Sequence, residues 1–273
     1  MTNIQRKDFK YNFLKNIIIR FDFQGVFEPE LENILPDIKP YLKEKNFTRY
    51  NKRNDNTINI NINDMQPPIF NNFQNQIIHS FVNDDSGYML DISNNFICLN
   101  IRSTTYSPFE EYAKLISDII KIYKEKIDFF TITRIGIRKI NECMVKDKNL
   151  INKFFSENYF KCFSSDKTIN TFSSEKKDSF EIDEKDRGNI SCKIVQGKAD
   201  NITLYQLTLD IDIYRDNTKK INSINDYQIE LQKMNNIIFD IFINALTDNL
   251  KSALMNDSYF EFEKDLLGVE KND

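Results

Sequence analysis

The chain has no tryptophan, one histidine and six glycines among its 273 residues, and these scarcities exclude several kinds of site. Neither glycine-rich phosphate loop, GxxxxGK[ST] or GxGxxG, occurs in it, and a GxSxG motif is also absent. The single histidine, His79, follows Ile77 and Ile78 in a strand-like run. A half-buried structural histidine is therefore favoured over a catalytic base, and no cofactor is expected.

The four cysteines form no recognisable metal or disulfide motif. Cys98, Cys143, Cys162 and Cys192 are widely spaced, with no CxxC pair and no histidine near enough in sequence to complete a zinc site. They are predicted to be reduced thiols of a cytoplasmic protein. The N-terminal region has no signal-peptide core, and no apolar run approaches the roughly 20 residues of a membrane span, so no membrane association is expected.

Charge is nearly balanced over the whole chain, with a formal net charge of -4. Residues 1–126 carry 16 basic and 16 acidic side chains, and residues 127–273 carry 21 and 25. Neither half is therefore a general polyanion-binding domain, although the fold could still create a local basic surface.

Hydrophobic spacing predicts one order of elements in the first half of the chain. Alternation predicts a strand from Ile17 to Phe23, followed by a helix that Pro36 and Pro40 should break or kink. Several strands follow, with a hairpin turn at residues 93–95. Ser107, Pro108 and Glu110 then resemble an N-cap, a first helical proline and a capping box at the start of a second helix.

The same order recurs in the second half. A strand from Thr131 to Asn141 precedes a helical segment, more strands and one long helix that starts near Ser223 and extends to Leu250. Residues 164–187 are predicted to be a flexible loop, and the residues beyond Leu267 a frayed tail. An extension with Phe260 and Phe262 is a candidate surface for packing against a second copy or a partner.

These orders predict an α+β protein with an internally duplicated strand-helix-strands-helix unit. The repeats are predicted at residues 1–126 and 127–273, sharing one antiparallel sheet that has helices on one face. By topology this resembles the TATA-binding-protein-like fold. Two separately closed α+β lobes are the alternative, and the sequence leaves both open.

The segment TRIGIRKIN, from Thr133 to Asn141, resembles the signature of a sporadically distributed family of uncharacterised bacterial and archaeal proteins. The early strand IIIRFDF, the helix start at residues 106–110 and the closing helix with Phe242, Ala245, Leu246, Thr247, Asp248 and Leu250 extend this resemblance over nearly the whole chain. Phe109 stands where the family often has Trp, and Asn235 stands near a frequent His. The resemblance implies a fold and, through its patchy distribution, a setting in defence or toxin–antitoxin systems.

Strand alternation also predicts the candidate site. If the apolar residues of the central strands face the helices, the opposite sheet face carries an arginine-rich set. Its members are Arg20, Asp22, Arg102, Arg134, Arg138, Asp210 and Asp212, with Gly136 and Asn100 beside them. Arg20 and Arg134 should be near neighbours, compensated either by the aspartates or by an anionic ligand.

Three functions remain open. The leading hypothesis is a non-enzymatic binding or interaction protein, one component of a bacterial defence or toxin–antitoxin-like pair, with a protein partner or self-association through the C-terminal helix. The alternative is a nucleic-acid or nucleotide-binding protein that uses the arginines. A metal-dependent nuclease built on Asp210 and Asp212 is third, because no further carboxylate or lysine at useful spacing accompanies them.

Overall fold

The computed structural model describes residues 4–61, 69–85, 87–102, 108–161, 172–199, 202–256 and 265–271, with side chains left undescribed at 56–61, 69–75 and 199. The predicted N-cap Ser107, the thiol of Cys162 and the Phe260–Phe262 extension lie outside these residues. Within them, no helix combines the length and hydrophobicity that crossing a lipid bilayer requires.

The strands are numbered in chain order. They are β1 (Tyr11–Asn12), β2 (Leu14–Gln24), β3 (Arg49–Asn61), β4 (Ile69–Asn83), β5 (Tyr88–Ile92), β6 (Phe96–Arg102), β7 (Thr131–Val145), β8 (Ser173–Glu181), β9 (Arg187–Ala199), β10 (Ile202–Arg215), β11 (Leu266–Leu267) and β12 (Glu270–Lys271).

The helices are numbered in the same way. They are α1 (Glu28–Glu44), α2 (Phe109–Lys126), α3 (Ile151–Phe154), α4 (Thr218–Asn222), α5 (Tyr227–Ala245) and α6 (Asp248–Met255).

One antiparallel sheet contains most strands, in the order β3-β4-β5-β6-β2-β7-β10-β9-β8. Strands from both halves of the chain thus share a sheet and meet at the β2–β7 pair, so the alternative of two separately closed lobes is wrong. Each half places its first strand at the centre and its later strands towards an edge. Internal duplication and the TATA-binding-protein-like topology stay predictions.

Helices pack against one face of this sheet, which confirms the α+β class. Ile17, Ile19 and Phe21 of β2 are fully buried on that face. The Phe21 ring meets Tyr227 of α5 edge-on, with centroids 5.5 Å apart. Each such side chain contributes about 1.5–3 kcal/mol by leaving water. The other face, which we call the open face, carries the polar residues of the alternation.

The predicted loop at residues 164–187 is wrong where β8 runs from Ser173 to Glu181. This edge strand has mostly exposed side chains, so it lacks the apolar alternation that reveals a strand in sequence. Its backbone pairing with β9 defines it instead. The predicted tail beyond Leu267 is also wrong, because β12 pairs with β1 through Tyr11 and Lys271.

Two helix predictions need correction. The α1 helix continues through Pro36 and Pro40 from Glu28 to Glu44, so the predicted break is wrong, and a kink stays a prediction. The long closing helix is two helices, since α5 ends at Ala245 and Thr247 caps α6 by accepting a hydrogen bond from the Leu250 N–H.

Candidate binding face of the sheet

Strand register brings six of the seven predicted site residues together on the open face. In the central β2–β7 pair, Arg20 lies opposite Gly136 and Asp22 lies opposite Arg134. On the other side of β7, Asp212 of β10 lies opposite Arg138. Asp210 lies two residues before Asp212 in β10 and therefore on the same face of the sheet. These six residues, Arg20, Asp22, Arg134, Arg138, Asp210 and Asp212, are called the Arg/Asp network.

Arg134 is at the centre of the network. Its Nη2 donates to Asp212 Oδ2 at 2.9 Å, and its Nη1 lies 3.7 Å from Asp22 Oδ2. Its guanidinium also lies over the Tyr214 ring, 4.7 Å from the centroid. Two carboxylates and one ring therefore fix the orientation of this side chain.

Arg20 is held in a similar way at the neighbouring strand. Its Nε donates to Asp22 Oδ1 at 2.7 Å, and its guanidinium lies 4.4 Å from the centre of the Phe96 ring. Arg20 and Arg134 are thus not a direct cross-strand pair, because the register places Gly136 opposite Arg20. Asp22 lies between the two arginines, with one carboxylate oxygen near each of them.

Arg138 binds Asp210 through two nitrogens. Nε donates to Oδ1 at 2.8 Å and Nη2 donates to Oδ2, a bidentate geometry that raises the pKa of the guanidinium. Burial raises the pKa of Asp212, an effect that outweighs the nearby charges of Arg134 and Arg138. Asp212 is therefore an enclosed member of the network.

Gly136 leaves room for the arrangement around it. A Cβ at this position would lie 3.0 Å from Tyr214 Cβ and 3.4 Å from Arg134 Nη2. Since the distance to Tyr214 Cβ is tight, and the Ile213 carbonyl oxygen would lie 3.2 Å away, a side chain here would require β10 to shift. Tyr214 is thus the residue that a side chain at position 136 would meet first.

Arg102 is the predicted site residue that the register separates from the others. It lies exposed at the end of β6, opposite Asn16, and makes no ion pair with any described residue. The open face also carries a second cluster, centred on Asp91. Arg53 Nη2 donates to Asp91 Oδ2 at 3.0 Å, and Ser80 Oγ donates to Asp91 Oδ1.

Sequence reasoning missed Arg53, Asp91 and the two rings, Phe96 and Tyr214. Alternation within β10 puts Tyr214 on the same face as Asp212, and alternation within β6 puts Phe96 on the same face as Asn100. The arginine that each ring meets depends on the register between strands, which the sequence does not give. One row of paired residues across the sheet connects the two clusters, because it contains Ser80 and Asp91 of the second cluster and Arg20 of the network. The row is Ser80, Asp91, Cys98, Arg20, Gly136, Tyr214 and Arg187.

His79 lies on the helix-covered face, away from the network, and is 1% exposed. Its Nδ1 is 2.8 Å from Tyr50 Oη, and its Nε2 is 3.6 Å from Glu28 Oε1. Burial lowers the pKa of His79, although Glu28 opposes the shift. Tyr50 and Glu28 thus surround the imidazole inside the fold.

The carboxylates Asp210 and Asp212 are engaged by arginines. Across the described ranges, no three His, Cys, Asp or Glu side chains are grouped so that they could hold a metal ion. The two carboxylates that a cation would need are thus already the partners of Arg138 and Arg134.

Comparison with protein-family models and with curated proteins finds no match to this chain.

Proposed function

We propose that this protein is a non-enzymatic interaction protein and that the open face of its sheet binds a protein partner. The observation that carries the proposal is the Arg/Asp network, whose arginines are more exposed than its aspartates. The exposed side-chain fractions are 42% for Arg20, 29% for Arg134 and 47% for Arg138, against 25% for Asp22, 22% for Asp212 and 19% for Asp210. The face therefore presents guanidinium groups supported from beneath by carboxylates.

Preorganisation supports a role in binding. Arg20 and Arg134 are each fixed by a carboxylate and an aromatic ring before any partner arrives. An immobilised long side chain otherwise costs about 0.5–1.5 kcal/mol of conformational entropy at an interface. Arginine and tyrosine are also enriched among the residues that dominate interface energies.

The balance of charges favours a protein over a nucleic acid. Three arginines and three aspartates leave the network with no formal net charge, whereas nucleic-acid backbones are bound by surplus positive charge. Phe96 and Tyr214 lie under guanidinium groups, so neither ring presents an uncovered face for base stacking. A partner surface with carboxylates placed over the exposed guanidinium edges complements this face.

The cellular setting follows from the sequence resemblance alone. Membership of a bacterial defence or toxin–antitoxin-like pair stays a prediction, as does self-association through the C-terminal helical region. Both concern the identity of the partner, and the open face is the surface that we assign to it.

Affinity purification from the native host would test the proposed function. The double variant Arg134→Gln/Arg138→Gln should lose a partner that the wild-type protein retains, because two fixed guanidiniums are removed. The matched control is Lys121→Gln/Lys126→Gln, which removes two exposed positive charges from α2 and should retain the partner. Quantitative mass spectrometry of the three eluates gives the comparison.

Several outcomes would count against the proposal. Equal recovery of every partner by the wild-type protein and the arginine variant would exclude the open face as the binding surface. A salt-dependent gel shift with single-stranded or duplex nucleic acid, lost in the arginine variant, would support the nucleic-acid alternative instead. Metal-dependent nuclease turnover lost in Asp210→Asn would support an enzyme.

A further inference from the structure

Residues 265–271, which we call the strap, pair with two separate parts of the fold. The first part of the strap is β11, which pairs with β7 at Val145 and Met144. At these positions β10 pairs with the other edge of β7, so the strap lies on the edge that β2 uses further along the strand. The β2–β7 ladder ends at Asn141. The strap therefore occupies the length of this edge that β2 leaves open.

A glycine separates the two pairings of the strap. Gly268 has a φ of +82°, a left-handed conformation that strains most other residues. Beyond it, β12 pairs with β1 at Tyr11 and Asn12. The Glu270 side chain also forms an ion pair with Lys15 near the start of β2. The edge of β7, together with β1 and Lys15, is called the strap site.

The strap buries little of its own surface. Leu266 is fully buried, whereas the other six residues of the strap are half-buried or exposed. Each of the two ladders pairs only two positions of the strap. The side chains of Lys15 and Glu270 are each 33% exposed. A short segment with one fully buried side chain opens more readily than the central strands of the sheet.

Opening of the strap leaves a strand edge unpaired. The β7 edge at Val145 then presents N–H and C=O groups that can pair with another chain. Departure of Leu266 also removes a side chain from the core cluster to which it belongs. The segment that the structure shows to fit this edge is the strap itself, and every copy of the chain carries one.

The length of the chain allows the strap to reach a second copy. The α6 helix ends at Met255, and residues 257–264 connect its C-cap to the strap. This number of residues spans at most about 28 Å when fully extended. The connection contains Phe260 and Phe262, the candidate residues for packing against a second copy or a partner. Exchange of the strap would place this connection between the two copies.

We propose that two copies of this chain exchange their straps, so that residues 265–271 of each copy fill the strap site of the other. The exchanged dimer uses the same contacts as the closed chain, which makes such an exchange a favourable route to a dimer. Arg138 is the network residue of β7 nearest to the strap, and it lies about 23 Å along the strand from Val145. The exchange therefore leaves the Arg/Asp network available and does not depend on the proposed function.

Paired charge reversals test the exchange. In Lys15→Glu and in Glu270→Lys, like charges meet whenever a copy holds its own strap or exchanges it with an identical copy. Only exchange between the two variants restores opposite charges at both strap sites. A mixture of the two variants, one of them isotope-labelled, should therefore contain at least about threefold more dimer in native mass spectrometry than either variant alone. The double variant Lys15→Glu/Glu270→Lys should form a concentration-dependent dimer, as the wild-type protein should.

A matched pair of charge reversals outside the strap site provides the control. Lys126 and Asp37 form an ion pair between α2 and α1, and their side chains are 53% and 50% exposed. A mixture of Lys126→Glu and Asp37→Lys should contain no more dimer than either variant alone. A variant truncated after residue 264 lacks the strap and should be monomeric.

Any of three results would overturn the proposal. The first is a wild-type protein that stays monomeric in light scattering at every concentration, and a different protein bound by the truncated variant would then be the occupant of the strap site. The second is a dimer that persists in the truncated variant, which would assign the contact to another surface. The third is an equal amount of dimer in the strap mixture and the control mixture. If the truncated variant does not fold, the two mixtures decide alone, because all four substituted side chains are at least about one-third exposed.

Discussion

Arg215 and Arg187 both belong to the β9–β10 hairpin, but Arg215 is buried and Arg187 is exposed. The side chain of Arg215 is 4% exposed, donates to both oxygens of Asp186 at 2.8 and 3.1 Å, and reaches Glu230 of α5 at 2.9 Å. Arg187 pairs with Glu181 and Asp216 at the surface. Similar ion pairs should therefore contribute very differently to stability.

Replacement of Arg215 by Met should destabilise the fold by about 3–5 kcal/mol, because it leaves the buried Asp186 carboxylate without its guanidinium. Urea denaturation monitored by circular dichroism measures the change. Arg187→Met is the control and should cost less than about 1 kcal/mol, as exposed ion pairs do. Equal losses in the two variants would contradict the assignment of the Arg215 network as a buried link between hairpin and helix.

Individual residues were predictable where one strand was enough to decide them. Alternation within β2, β7 and β10 placed the six residues of the Arg/Asp network on one face. It did not determine which arginine meets which aspartate, because pairing depends on the register between strands. The burial of Asn235 could not be predicted either, since it depends on how α5 packs on the sheet.

At the scale of elements, His79 links the β3–β4 hairpin to the first turn of α1. Tyr50 of β3 and Glu28 of α1 contact the imidazole, while Lys52 and Glu32 form an ion pair nearby, with 2.9 Å between Nζ and Oε1. Burial lowers the pKa of His79 in the folded state below the value of about 6.5 for an unfolded chain.

Folding stability should therefore be lost as the pH falls through this range. A lowered folded-state pKa means that the unfolded chain takes up the proton first, so the contribution of neutral His79 is present above about pH 6.5 and disappears below it. Thermal melts between pH 8 and pH 5 measure the loss. His79 is the only histidine, so one imidazole NMR signal gives its pKa directly.

The variant Glu28→Gln provides a further test of the His79 interpretation, because Glu28 favours the protonated imidazole. The variant should lower the pKa of His79 further and increase the acid sensitivity. Glu44→Gln at the other end of α1 should leave both unchanged. A folded-state pKa at or above 6.5 in the wild-type protein would contradict the interpretation.

Elements with an apolar face were predictable, and those without one were not. The β2 strand and the α2 helix follow from periodicity, whereas β8 is a charged edge strand defined by its pairing with β9. The division between α5 and α6 depends on Thr247, whose hydroxyl also donates to the backbone carbonyl of Lys153. Such a contact between segments far apart in sequence leaves no local pattern.

At the scale of the whole molecule, the β2–β7 pair joins the two halves. This central pairing extends from Leu14 and Asn141 to Gln24 and Thr131, and each strand also contributes buried residues to the core. Neither half alone can satisfy the hydrogen bonds of its central strand, which becomes an exposed edge.

Fragments 1–126 and 127–273 should therefore not fold separately. Expressed alone, each fragment should aggregate or give an NMR spectrum with poorly dispersed amide signals. Co-expression of the two fragments should restore a soluble complex with dispersed amide signals. A dispersed spectrum from either fragment alone would contradict this expectation and would support two independently stable units instead.

The sequence by itself determined the α+β class, the apolar face of each central strand and the polar identity of the opposite face, because these depend on periodicity within one element. Tertiary structure alone decided the single sheet, the pairing of Arg134 with Asp212 and of Arg138 with Asp210, and the burial of Lys139 and Asn235. These features depend on register and packing between segments that are distant in the chain. No local sequence pattern encodes which of these distant segments come into contact.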